Sequence, residues 1–395
     1  MYLRREAALA RCKLVVLAMF REANFLLSEG EEMKKLLLAM YFAVAVAMLV
    51  TPASATEQWD LHFRGFGEGW ASGALAPEGF YFTNDAALLP FWHSYGVTTK
   101  GVYNPSEANS GNRAAGYLDV PVLLWSTGCK FLGASYGVAV AEPFDYTNLR
   151  SSVTLPASIV NILKAKGITL PPLDLTGSQL GLYNTVLVPY ILSWKLSDLN
   201  PCLRDFYVRT DLQVALNDGT TSTADSVASV TKIITATSKN ISKTDGHAYL
   251  WSSNNVYAFQ PSFAISWLHS GWNLSARFVY DTFTKDTDTN YQSGDEIGAD
   301  FTASHTWGKW TFGFGATNTT QIQDDKFNAG KGYMSQPNTK VENWVAGPLV
   351  GYNFGPCSLM LLYNFPLYTQ NQLGGEQVDL RLVIPLGNPF PMGGK

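Results

Sequence analysis

The chain has 395 residues, of which 15% are charged and 13% are aromatic, and its formal net charge is −4. Outside the N-terminal region, no run reaches the roughly 18 apolar residues of a membrane-spanning helix, which argues against a helical membrane protein. Residues 56–395 carry 21 Lys and Arg against 27 Asp and Glu, a net charge of −6. No nucleic acid is therefore expected as a partner, because phosphate binding depends on clustered basic side chains.

The N-terminal region predicts export. Met33-Lys34-Lys35 is a basic start, Leu36 to Val50 an apolar stretch, and Ala53-Ser54-Ala55 a cleavage motif, so residues 33–55 read as a signal peptide that leaves Thr56 first. The alternative is a short anchoring helix, which the cleavage motif disfavours. Residues 1–32 do not fit this pattern, and we interpret them as a misassigned start with Met33 as the initiator.

Residues 56–91 differ in composition from the rest of the mature chain. Glycines at 65, 67, 69 and 73 separate aromatic residues, and Pro77-Glu78-Gly79 precedes Phe80, Tyr81 and Phe82. Glycine permits tight turns inside a narrow space, and the three aromatic side chains offer stacking surface for an aromatic solute. The segment is predicted to plug a lumen or to form a periplasmic arm.

Period-2 alternation of apolar and polar residues dominates the chain after this segment. In 272–282, for example, Trp272, Leu274, Ala276, Phe278 and Tyr280 alternate with polar or smaller residues. Several runs exceed ten residues, longer than the five or six typical of a soluble sandwich and close to the roughly 9–11 of a membrane strand. We expect twelve strands, at about 92–103, 117–126, 131–142, 183–198, 204–217, 256–268, 271–284, 294–307, 309–323, 342–354, 357–369 and 376–387.

These strands predict an all-β fold, a transmembrane antiparallel β-barrel of 12 to 14 strands over 92–390, with a tail at 391–395. An even number closes the sheet, so that no unpaired edge faces lipid. Short turns alternate with long polar loops, as in outer-membrane barrels. Six of the 11 tryptophans fall near the predicted short turns, as in an interfacial girdle: Trp125, Trp194, Trp267, Trp272, Trp307 and Trp310.

Four segments carry a resemblance to a known family: 76–84 (APEGFYFTN), 259–264 (FQPSFA), 286–294 (DTDTNYQSG) and 347–355 (GPLVGYNFG). They resemble the outer-membrane family named for the meta-pathway of phenol degradation, related in architecture to FadL-type fatty-acid channels. The resemblance implies an outer-membrane barrel that takes up hydrophobic or aromatic compounds. The chain departs from the pattern in its non-aromatic C-terminus and its Thr- and Ser-rich loop 218–255.

Motifs for other chemistry are weak. Gly133-Ala134-Ser135-Tyr136-Gly137 matches a hydrolase elbow but lies within a predicted strand, so an outer-membrane hydrolase is the least favoured alternative and the protein is not expected to be an enzyme. Residues 286–290 begin like a calcium loop but lack its later Gly and Glu. Three mature cysteines allow at most one disulfide. We expect no cofactor and no metal.

The predicted lumen-facing charges are the most informative polar groups. Hairpin pairing brings Lys195 near Asp205 and Arg277 near Asp300, and buried charges need partners. Ion pairs that stiffen a filled barrel explain these charges at least as well as a substrate path does. The candidate substrate or lumen residues are Phe80, Tyr81, Phe82, Lys195, Asp205, Arg209, Arg277, Asp300, Asp379 and Arg381.

The most favoured function is passive uptake of a small hydrophobic ligand, and the main alternative is a structural or surface-recognition barrel with a closed lumen. Expected partners are outer-membrane lipid, lipopolysaccharide and the barrel-assembly machinery.

Overall fold

A computed structural model describes residues 61–95, 108–153, 173–198, 200–220, 246–247, 256–285, 291–327 and 340–388. The predicted signal peptide, the calcium-like loop 286–290 and the tail 391–395 lie outside these ranges. Within the described part of the chain, no helix is long and apolar enough to cross a membrane.

The described residues form strands and two short 3-10 turns, Leu196–Asp198 and Pro201–Leu203. The strands are, in chain order, β1 (Gly79–Tyr95), β2 (Ala108–Phe131), β3 (Ala134–Ala141), β4 (Phe144–Val153), β5 (Leu173–Leu182), β6 (Val186–Lys195), β7 (Phe206–Ala215), β8 (Gly246–His247), β9 (Ala258–His269), β10 (Trp272–Phe283), β11 (Tyr291–Gln292), β12 (Glu296–Trp307), β13 (Trp310–Gln321), β14 (Lys326–Phe327), β15 (Glu342–Asn353), β16 (Ser358–Gln370), β17 (Leu373–Gly375) and β18 (Gln377–Gly387).

Twelve of these strands close into an antiparallel barrel, which confirms the predicted fold. The ring runs β1-β2-β3-β6-β7-β9-β10-β12-β13-β15-β16-β18, and β1 pairs with both β2 and β18 to complete it. Closure satisfies the backbone groups that an open edge would leave unpaired in a membrane. The strands outside the ring include β4 and β5. β4 pairs with the N-terminal half of β2, and β5 pairs with β4.

Tight turns define one end of the barrel, which we call the short-turn end. Two of them place consecutive residues at positive φ, Leu132 and Gly133 at 51° and 79°, and Ser270 and Gly271 at 49° and 87°. This geometry suits two-residue hairpins because its twist matches that of the paired strands. The opposite end, where the longer connections leave, is called the long-loop end.

Alternation places polar residues inside and apolar residues outside. In β9, Gln260, Ser262 and Ser266 are buried, while Phe263 and Ile265 between them are exposed. In β10 and β12, Phe278 and Phe301 meet edge to face on the outer surface, with ring centroids 6.2 Å apart. An apolar exterior around a polar interior is the pattern that a lipid environment stabilises.

Two predicted boundaries are wrong. The first strand begins at Gly79 rather than at residue 92, because residues 80–88 hydrogen-bond to both β2 and β18. The connection between the predicted strands 131–142 and 183–198 contains β4 and β5, which extend the wall beyond the ring. The first error arises because Phe80-Tyr81-Phe82 is a continuous aromatic run, and the second because polar residues interrupt the alternation in β4 and β5.

Candidate functional site: a segment inside the lumen

Residues 61–76, here called the lumen segment, run through the interior of the barrel as a series of turns. At the long-loop end, Leu61 belongs to a buried apolar cluster with one residue from each of six ring strands, Val120, Ala141, Val186, Ala215, Ala258 and Phe283. At the short-turn end, the Leu75 amide donates to Ser193 Oγ at 3.2 Å, and Ser126 Oγ donates to the Ala76 carbonyl at 2.9 Å. The segment therefore traverses the lumen from one end to the other.

Glycine lets the segment lie directly against the wall. Gly73 donates its amide to Ser266 Oγ at 2.7 Å and accepts from Ser193 Oγ at 2.8 Å. A Cβ on Gly73 would stand 2.5 Å from the Tyr207 carbonyl oxygen and 2.6 Å from the Ser266 amide nitrogen. Backbone atoms cannot move aside as a flexible side chain can, so only glycine fits at this point.

Arg381, from β18, holds the middle of the segment. Its Nη2 donates to the Phe66 carbonyl at 2.7 Å, and its Nη1 donates to the Glu68 carbonyl. Its guanidinium also lies 4.3 Å from the centre of the Trp70 ring, within the range of a cation–π contact. On the wall side, Arg381 Nε donates to Asp85 Oδ1 of β1 at 2.5 Å.

Replacing Arg381 should therefore loosen both the segment and the wall. We expect Arg381→Gln to lower the free energy of unfolding by about 3–5 kcal/mol, because Asp85 would remain as a buried charge without its partner. Chemical unfolding of the detergent-solubilised protein measures this change. The matched control is the double variant Arg381→Gln with Asp85→Asn, which removes the uncompensated charge and should recover part of the loss. Equal losses in the single and double variants would contradict the role of the pair.

His62 anchors the part of the lumen segment that lies nearer the long-loop end. Its Nε2 lies 2.9 Å from Asp300 Oδ1, and its Nδ1 lies 3.1 Å from Thr319 Oγ1. Both His62 and Asp300 are only 1% exposed. Thr317 Oγ1 donates to Asp300 Oδ1 at 2.9 Å and lies 2.9 Å from Glu68 Oε1. The segment and the inner surface of β12 and β13 therefore share one buried hydrogen-bond network.

Arg277 links this network to the neighbouring strands. It lies directly opposite Asp300 in the β10–β12 pairing, with Nη1 3.7 Å from Asp300 Oδ2. Its Nη2 lies 3.6 Å from Asp211 Oδ1 and donates to Gln260 Oε1 at 2.9 Å. Arg209 contacts the other oxygen of Asp211 at 2.7 Å. Ion pairs of this kind balance charge in a space from which water is largely excluded.

The sequence-derived candidate residues fall into three locations. Arg209, Arg277, Asp300, Asp379 and Arg381 face the lumen. Lys195 and Asp205 lie at the short-turn end, and among the described residues they form no ion pair with each other. Lys195 lies opposite Tyr207 in the β6–β7 pairing, with Nζ 5.9 Å from its ring, and Asp205 contacts His269 at 3.0 Å and Arg204 at 3.6 Å.

Phe80, Tyr81 and Phe82 belong to β1 and not to the lumen segment, which corrects their predicted placement. Phe80 stacks on Trp125, with centroids 5.2 Å apart. Inward Thr83, Asp85 and Ala87 fix the alternation, so Phe82 faces outward. The Tyr81 hydroxyl donates to the Pro77 carbonyl at 2.9 Å near the short-turn end.

Several residues of the site were not among the candidates, namely His62, Glu68, Asp85, Asp211, Asp281 and Glu296. The last four lie on inward positions of ring strands, and strict alternation from their neighbours could have found them. His62 and Glu68 lie outside any periodic element, so no spacing in the sequence relates them to Asp300 or Thr317.

Ser135 of the hydrolase-like motif lies in β3, directly after a tight turn and between two strands. This is a strand–turn–strand context, whereas a nucleophile elbow joins a strand to a helix. Cys129, Cys202 and Cys357 are free thiols.

Comparisons with known proteins agree with this architecture. Residues 238–382 match the family described as "Putative MetA-pathway of phenol degradation", so the resemblance predicted from the sequence is confirmed over that range. No curated protein matches the chain in sequence. An outer membrane channel from Pseudomonas putida F1 shares the fold, with a TM-score of 0.50 and 13% identity over 79% of this chain and 97% of that chain.

Two further solved structures match more weakly. The toluene transporter TodX of Pseudomonas putida matches with a TM-score of 0.36 and 12% identity over 80% of this chain and 90% of that chain. The translocator domain of the autotransporter NalP from Neisseria meningitidis gives a TM-score of 0.36 and 8% identity over 80% and 91%.

Proposed function

We propose that this protein is a plugged outer-membrane channel that admits small hydrophobic or aromatic compounds when the lumen segment moves. The proposal rests on one observation, which is that the lumen is filled by a separate segment of the chain and not by the side chains of the wall alone. A plug that can move allows a barrel to open, whereas small barrels of about eight strands are filled by the side chains of their own strands.

The inner surface of the wall is built largely from small residues where the segment lies. Many buried inward positions of β9 to β15 are Gly, Ala, Ser or Thr: Ser262, Ala264, Ser266, Ser275, Gly298, Thr302, Ser304, Gly315, Thr317, Thr319 and Gly347. A Cβ on Gly315 would stand 2.2 Å from Glu68 Oε2, so the segment occupies volume that the wall leaves open. Removal of the segment would expose a continuous lumen.

The long-loop end of the lumen supports the hydrophobic part of the proposal. Around Leu61, the partly buried side chains of Phe63, Phe66, Leu118 and Val122 extend the apolar cluster. Phe63 also meets Tyr183 edge to face, with centroids 5.2 Å apart. Apolar and aromatic surface with a few polar groups is the usual lining of a site for a small hydrophobic molecule.

The family match and the barrel architecture support a location in the outer membrane, beside lipopolysaccharide and after insertion by the barrel-assembly machinery. We place export before this step, with cleavage after Ala55. An intact mass that still includes residues 36–50 would contradict that step.

A reversible cross-link tests whether movement of the segment permits uptake. Leu75→Cys with Ser193→Cys joins the segment to β6, where the Leu75 amide lies 3.2 Å from Ser193 Oγ. The three native thiols are first replaced by Ser. In cells that lack the wild-type protein, the reduced variant should restore uptake of a labelled neutral aromatic such as toluene, and the oxidised variant should lose most of it.

The matched control is the Cys-to-Ser background with Leu75 and Ser193 unchanged, for which oxidation should have no effect. Equal uptake by the oxidised and reduced cross-link variants would contradict the proposal and would favour a structural barrel.

A further inference from the structure

The inner face of β12 contains a recess beneath His62. Successive inward positions of this strand are Glu296, Gly298 and Asp300. A residue without a side chain therefore lies between two residues with carboxyl groups. A Cβ on Gly298 would stand 2.2 Å from His62 Nδ1 and 2.5 Å from its Cε1. The imidazole ring therefore occupies the space that the missing side chain leaves, with Asp300 at its edge.

The neighbouring strands complete the walls of the recess. Val279 of β10 and Thr319 of β13 lie opposite Gly298 on either side, and Asp281 lies opposite Glu296. Asp281 is fully buried; Gln260 donates to its Oδ1 at 2.8 Å, and its Oδ2 makes no hydrogen bond within the described residues. The recess thus presents acceptors to a ring that bears N–H donors.

The surrounding charge favours a cation over an anion. The ring strands direct six buried carboxyl groups inward, on Asp85, Asp211, Asp281, Glu296, Asp300 and Asp379. The inward guanidinium groups on these strands belong to Arg209, Arg277 and Arg381, and each contacts Asp211, Asp300 or Asp85. Among the described residues, each inward guanidinium on these strands already contacts a carboxylate, so a bound anion would face carboxylates at close range, which opposes its binding in a medium of low dielectric constant.

We propose that this recess, once His62 leaves it, binds a planar aromatic or heterocyclic solute that carries N–H donors, such as a protonated aromatic amine or nitrogen heterocycle. Aromatic carboxylates are disfavoured. His62 occupies the site in the plugged state and competes with the solute. The inference rests on the proposed channel function and adds this class of solute to the neutral aromatic compounds proposed there.

Filling an emptied recess with a free ligand tests the site directly. His62→Ala removes the ring but keeps the lumen segment, and 4-methylimidazole has the shape of the lost side chain. We expect 4-methylimidazole to raise the Tm of this variant saturably, and benzoate at the same concentrations to leave it unchanged. Adding Gly298→Ala should abolish the effect by occupying the recess, and adding Asp300→Asn should weaken binding by about tenfold through loss of a charged hydrogen bond.

A rise in Tm with benzoate equal to that with 4-methylimidazole would overturn the proposal, as would a saturable effect that survives Gly298→Ala. Absence of any 4-methylimidazole effect in a folded His62→Ala protein would overturn it as well.

A second measurement applies if His62→Ala does not fold. A variant that lacks residues 65–76, and with them the obstruction of the lumen, is placed in a planar bilayer under a KCl gradient, and its reversal potential is recorded. A preference for K⁺ that falls when Asp300→Asn is added supports the acidic site. Current with no preference, or with a preference for Cl⁻, overturns this inference while leaving the channel intact, whereas absence of current from the folded deletion variant contradicts the plugged channel itself.

Discussion

Deletion of residues 65–76 should convert the barrel into an open pore. Barrels of about eight strands are filled by their own side chains, whereas those of 16 strands enclose an aqueous channel. A ring of 12 strands lined by small residues lies between these cases, and here the lumen segment supplies the missing volume. Because the deletion frees the lumen of a 12-strand barrel, we expect conductance in planar bilayers to rise by about tenfold or more. Permeability to sugars, measured by liposome swelling, should rise as well.

A single substitution provides a milder version of the same test. Gly73→Val places a side chain against the backbone of β7 and β9, where a Cβ alone would be 2.5 Å from the Tyr207 carbonyl oxygen, and should displace the lower part of the segment. Both variants must retain the heat-modifiable migration of a folded barrel. A folded deletion variant with unchanged conductance would show that residues 65–76 do not block the pore.

Phe278→Arg should prevent or strongly impair insertion of the barrel. Phe278 is 47% exposed on the outer face of β10 and contacts Phe301. An arginine at mid-bilayer depth on a barrel surface costs about 2–4 kcal/mol. Folding yield in liposomes, followed by electrophoretic mobility with and without heating, measures the effect.

Phe278→Leu is the matched control, since it keeps an apolar side chain at the same position and should insert normally. The inward neighbour Arg277 is unsuitable as a neutral control, because its replacement would leave Asp211 and Asp300 without a shared partner. Equal yields of Phe278→Arg and Phe278→Leu would mean that this face of β10 does not contact lipid.

Alternation in the sequence was sufficient to predict the ring and much of its register. The pairing of Arg277 with Asp300, for example, follows once β10 and β12 are placed as antiparallel neighbours. Alternation works here because each strand separates a polar lumen from an apolar exterior. The beginning of β1 was missed because Phe80-Tyr81-Phe82 is a continuous aromatic run with no period of two.

The site was less accessible to sequence reasoning for a physical reason. His62 meets Asp300 across 238 residues of chain, and Arg64 meets Leu373 across 309. The lumen segment forms turns without a repeating period, so its partners depend on how the chain crosses the lumen. The role of Gly298 could not be predicted from the sequence, because it consists of the space that this residue leaves for the imidazole ring of His62.

Arg381 joins the last strand of the ring to the first, and this has a consequence for assembly. It lies directly opposite Asp85 at the seam where β18 meets β1, and the same guanidinium binds the carbonyls of Phe66 and Glu68. Residues 61–76 precede every strand of the ring, yet this anchor lies on its last strand. The contacts of Arg381 with Phe66 and Glu68 can therefore form only after β18 has been added, so the middle of the segment becomes fixed together with the closing of the wall.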